Sequence, residues 1–86
     1  MNADREPNPY LMVTVGSEVR TLDGQKIGVI SELRGRYFKV KTSRWQRDYW
    51  LRADSVRSSG PDQGVVLNVP RARLDDIKMV DIERLD

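Results

Sequence analysis

Apolar and polar residues alternate along this chain in short runs, and turn-forming residues separate the runs about every ten positions. Such spacing is the signature of a small barrel or sandwich of short strands. The first strand is predicted over residues 18–22, where Val19 follows Val15 and Gly16 interrupts the run. Asp23-Gly24 then marks a tight turn, because glycine accepts positive φ and aspartate bonds back to its own backbone. A second strand is predicted over 26–34. It carries Ile27 and Val29 on one side and Gly28 and Ile30 on the other. A strand that is apolar on both faces is a buried one, and Gly28 within it points to a bend or a close backbone approach. Arg34-Gly35-Arg36 reads as another tight turn. Residues 37–41 alternate cleanly, with Phe38 and Val40 inward and Tyr37, Lys39 and Lys41 outward, as in a half-buried antiparallel strand.

A polar loop over 42–47 carries Trp45, and a fourth strand follows at 48–52 with Trp50 opposed to Tyr49 and Leu51. Residues 53–56 suit a short helical turn that Asp54 could cap. The run 58–64, Ser-Ser-Gly-Pro-Asp-Gln-Gly, reads as the clearest loop in the chain. The fifth strand, 64–69, places Val65, Leu67 and Val69 inside. Pro70 can open a helix at its first position, and 71–79 is predicted as that helix, with Leu74, Ile77 and Val80 as its apolar face. Residues 80–86 fit either a continuation of the helix or an edge strand. The predicted fold is therefore mostly β: a small antiparallel β-barrel of five to six strands with a short C-terminal helix. It forms one domain over 13–86, preceded by a flexible arm over 1–12.

Composition narrows what such a domain can do. The 86 residues include no histidine and no cysteine, so the commonest general base, the commonest metal ligand and every thiolate are missing. No Gly-x-Ser-x-Gly, P-loop or tuned carboxylate pair is present, and the expectation is a non-enzyme without cofactor or metal. No apolar run approaches the roughly 20 residues that span a bilayer, and residues 1–10 lack the apolar core of a signal peptide. With the lack of cysteine, this fits a cytoplasmic setting. The formal net charge is only +2, but its distribution is uneven. Residues 34–52 hold seven basic residues against one acid, Asp48, whereas residues 75–86 hold five acids against Lys78 and Arg84.

The segments Val15-Gly16-Ser17-Glu18-Val19 and Asp23-Gly24-Gln25-Lys26-Ile27-Gly28-Val29-Ile30 resemble the opening hairpin of the PRC-barrel domain. Residues 48–56 resemble the strand and short turn that this family places before its long loop, and Val65-Val66-Leu67-Asn68-Val69 resembles its closing strand. The likeness covers about residues 13–77. It departs at Trp50-Leu51, where the family often has Ile-Pro. The resemblance implies a binding and structural module without chemistry of its own, as in the photosynthetic reaction centre's cytoplasmic subunit and a ribosome maturation factor. It is similar above all to short, free-standing bacterial members.

Gly16, Asp23, Gly24, Gly28 and Gly35 are assigned to turns and backbone geometry. The candidate partner-binding residues are Tyr37, Lys39, Lys41, Arg44, Trp45, Arg47 and Trp50, a mixture of cations and aromatic rings. Such a mixture suits an interface with a protein or with a second copy of the chain. It also suits RNA or single-stranded DNA, because cations hold phosphates and rings stack on bases. An SH3-like barrel of the KOW kind, which Val15-Gly16-x-x-Val19 and Gly24-x-x-x-Gly28-Val29 also resemble, would serve that second role. A third reading is a structural domain that self-assembles through a strand edge. The plain alternative to all of these is a solvated basic face, with aromatics plugging the barrel ends.

Overall fold

A computed structural model describes residues 13–42 and 46–80. Six strands follow one another: β1 (Glu18–Arg20), β2 (Lys26–Arg34), β3 (Tyr37–Lys41), β4 (Tyr49–Arg52), β5 (Val56–Gly60) and β6 (Gly64–Leu67). A 3-10 turn, Ala53–Ser55, joins β4 to β5, and a second, Arg71–Asp76, follows β6. All six strands belong to one sheet in the order β4-β3-β2-β1-β6-β5. Every neighbouring pair is antiparallel except β1 with β6, which run parallel.

The sheet must curl. Six strands spaced about 4.8 Å apart would set flat edges roughly 24 Å from each other. The edge strands β4 and β5 are nevertheless joined by three residues, which even fully extended bridge no more than about 14 Å. Curvature is helped by bulges at Ile27 and Ser31 in β2 and at Arg57 in β5, each an extra residue without a partner on the neighbouring strand. β4 and β5 do not pair, so the curled sheet stays open where a closed barrel was expected.

The concave side holds the core. Val19, Ile30, Phe38, Val40, Leu51, Val65, Leu67 and Leu74 are at most 1% exposed, with Tyr49 and Val56 packed among them. Burial of each such side chain contributes roughly 1.5–3 kcal/mol. Gly28 lies opposite Val19 on this side, and a β-carbon built there would meet the Lys41 carbonyl oxygen at 2.6 Å and Val40 Cγ1 at 2.7 Å. Gly64 opens β6 at φ +70°, with the Glu18 carbonyl oxygen 2.5 Å from where its β-carbon would stand. Only glycine meets both demands, and this contact lets β6 lie against β1.

Several sequence expectations need correction. The first strand ends at Arg20, and Leu22 is 44% exposed beyond it. Residues 58–60 are not loop but the second half of β5, because Ser58, Ser59 and Gly60 pair with Val66, Val65 and Gly64. The polar composition of that run reflects an edge strand, not an irregular one. Asp54 does not cap the first 3-10 turn. Arg52 stands at the N-cap without a side-chain bond, and the Asp54 carboxylate pairs with its guanidinium at 3.0 Å. The predicted helix over 71–79 is a 3-10 turn ending at Asp76. Three residues per turn keep Leu74 and Ile77 on one face, and both reach the core. Val80 lies beyond the end of the turn and is 66% exposed. Beyond the turn the chain extends, and Met79 forms an antiparallel bridge with Trp50. The arm over 1–12 and residues 81–86 lie outside the described residues, as do Arg44 and Trp45.

Thr21 organises the β1–β2 turn. It is fully buried; its N–H donates to the Gln25 carbonyl at 2.9 Å, and its Oγ1 accepts the Gln25 N–H at 3.1 Å. Its hydroxyl donates to the Asp23 carboxylate. That carboxylate also accepts the Arg71 backbone N–H at 3.1 Å, tying the first hairpin to the second 3-10 turn.

Candidate functional site

Strand alternation sends one set of β2–β4 side chains away from the core. The register places Arg34, Tyr37 and Arg52 in one row across the sheet and Glu32, Lys39 and Trp50 in the next, with Val29 beside Lys41. Side chains of directly paired residues share a face, so Tyr37, Lys39, Lys41 and Trp50 come together on the convex side as the alternation predicted. Arg47 does not join them. It is exposed before β4, beside a recess it shares with Tyr49, Lys78 and Val80.

Trp50 is the unusual member. It faces away from the core cluster, yet only 6% of it is exposed. The Arg34 guanidinium carbon stands 5.3 Å from the ring centroid and Lys39 Nζ 5.7 Å. Both distances lie within cation–π range, worth about 0.5–1 kcal/mol where solvent reaches the cation. The ring's own strand edge is closed by Met79. The Trp50 N–H donates to the Met79 carbonyl at 2.7 Å, and the Met79 N–H donates to the Trp50 carbonyl at 3.0 Å.

Charge on this face has both signs. Glu32 pairs with Arg34 at 2.9 Å and Asp54 with Arg52 at 3.0 Å. Further along the sheet, Glu18 bridges Arg20 at 2.9 Å and Lys26 at 3.4 Å. The hydrogen bond and charge of Lys26 hold the Glu18 carboxyl below its ordinary range. The acids of the C-terminal segment are matched locally, Asp76 with Arg73 at 2.9 Å and Asp75 with Lys78 at 3.0 Å.

Arg34, Glu32 and Arg52 belong to this face but were not singled out from the sequence. Glu32 and Arg34 carry the signal in their spacing of two, which sets them on one side of a strand, although the bulge after Ile30 obscures which side. Among the described residues no group of histidine, cysteine or acidic side chains could hold a metal ion. No helix among them is long and apolar enough to cross a membrane. Neither a protein-family model, nor a curated protein, nor a solved structure matches this chain.

Proposed function

We propose that this chain is a non-catalytic binding module, a PRC-barrel-like domain that docks a protein surface or a second copy of itself through the convex face of β3 and β4. The observation that carries this reading is Trp50. Its ring lies on the outer side of the sheet and is covered by Arg34 and Lys39, so the surface offered to a partner is these two cations set over the ring. Tryptophan, tyrosine and arginine are the residues most enriched at interface hot spots. Rings and cations already fixed on rigid strands lose little freedom on binding.

A nucleic-acid-binding barrel of the KOW kind remains the alternative. It calls for cations free to meet phosphates and for open ring faces on which bases can stack. Here Arg34 and Arg52 already have carboxylate partners, and the Trp50 ring is covered. Those features favour the protein-docking reading.

The test is Lys39→Glu, which reverses charge beside Trp50 without touching the core. The parent is expected to self-associate in sedimentation, or to retain a protein partner from an extract of its source. The variant should lose that association while keeping the parent's circular dichroism and melting profile. Retention of every association by Lys39→Glu would overturn the assignment of this face. Tight, steeply salt-dependent binding of RNA or single-stranded DNA by the parent would instead favour the alternative.

A further inference from the structure

On the other side of β4, away from the convex face, three cations surround one recess of about 270 Å³. Lys26 comes from the start of β2, Arg71 from the second 3-10 turn and Lys78 from the segment after it. Thr42, Gln46 and Tyr49 complete the polar lining, over an apolar floor of Ile27 and Leu74. Among the described residues no carboxylate lines it. Glu18 and Asp75 pair with Lys26 and Lys78 from outside the lining. A larger recess, about 590 Å³ beside residues 14–18 and 60–64, has the opposite character: Glu18 and Asp62 line it and, among the described residues, no cation does.

Two groups at the cationic recess have unused capacity. The Arg71 guanidinium has no ion-pair or hydrogen-bond partner among the described residues. The Tyr49 ring is buried, but its hydroxyl is open to the recess, since no buried side-chain polar atom among the described residues lacks a partner. The two line the same recess, and the charge of Arg71 works against the burial that raises the Tyr49 pKa. Lys78 Nζ sits 4.8 Å from the centroid of the same ring.

We infer that this recess binds the phosphate group of a small phosphomonoester. The Arg71 fork is suited to two phosphate oxygens at once, and the Tyr49 hydroxyl donates to a further oxygen; Lys26 and Lys78 stand at the rim and share their charge with Glu18 and Asp75. The volume is several times that of a phosphate group, taking about 30 Å³ for each water as the yardstick. The surplus leaves room for a small polar substituent, for which Thr42 and Gln46 are the nearest hydrogen-bonding side chains.

The probes are inorganic phosphate, ribose 5-phosphate and acetate. Each is titrated into the full chain at low ionic strength, with backbone amide and Tyr49 ring resonances as the readout. Phosphate and ribose 5-phosphate should bind saturably and shift Tyr49, with ribose 5-phosphate the tighter. Acetate, a monoanion, should bind at least about tenfold more weakly. Loss of a charged hydrogen-bond donor costs roughly 10- to 100-fold, so Arg71→Gln should weaken both phosphates by that factor. Tyr49→Phe keeps the core ring and should weaken them several-fold. Arg57→Gln, on the far edge strand, should match the parent. Absence of saturable phosphate binding to the parent would overturn the inference. So would equal affinity of Arg71→Gln and the parent, or acetate bound as tightly as phosphate.

Discussion

Gly28 and Tyr49 show how single residues set local limits. The β-carbon missing at Gly28 would collide with backbone, the Lys41 carbonyl, and not merely with a side chain that can turn aside. Gly28→Ala therefore has to push β2 away from β3, at a cost of about 1–3 kcal/mol typical of overpacked cores. Chemical denaturation measures it, and a variant as stable as the parent would mean that the strands separate freely. Burial pushes the Tyr49 phenol up to about 12, with Arg71 opposing and Asp75 adding to the shift. A raised folded pKa makes the neutral form the one the fold accepts. Its contribution is complete below the unfolded value near 10 and is lost as pH rises towards 12. Melting temperature should fall more steeply over that window in the parent than in Tyr49→Phe, since the lysines titrate alike in both. Parallel curves would contradict the buried phenol.

At the scale of elements, residues 26–34 and 37–41 are legible from sequence alone and form β2 and β3 at those bounds. The first is a long apolar run and the second alternates cleanly, and each is bounded by turn residues, so local chemistry and final structure agree. Elements shaped by distant partners are less legible. β5 reads as loop because Ser58, Ser59 and Gly60 have no apolar pattern; pairing with β6 makes them strand. The segment after Pro70 has helical spacing for three apolar residues, but the core receives only two, and Met79 is drawn instead to the free edge of β4. That bridge protects an edge that would otherwise offer unpaired backbone groups to any passing strand. The candidate face divides in the same way. Tyr37, Lys39 and Lys41 follow from alternation within one strand. The placement of Trp50 over Lys39, and the arrival of Arg34 from β2, depend on register between strands, which no single segment encodes.

For the molecule as a whole, the parallel contact between β1 and β6 is the joint on which the sheet depends. Val19 lies beside Val65 and Arg20 beside Val66, so the joint links the beginning of the described domain to a strand near its end. All other strand pairs are hairpin neighbours, formed between segments adjacent in the chain. Closing a long loop costs entropy before the contact repays it, so distant pairings form late in folding. The two halves, β1–β4 and β5–β6, are thus expected to take shape separately and to lock together last. Contacts made after the transition state govern how fast a protein comes apart, not how fast it assembles. Val65→Ala, cut at the joint, should speed unfolding in stopped-flow measurements in proportion to its loss of stability, while refolding stays within about twofold of the parent. A refolding rate that drops with stability would place the joint in the folding nucleus. Gly64, by letting β6 approach the Glu18 carbonyl, then acts as a latch: the lifetime of the folded domain depends on a contact that takes no part in starting it.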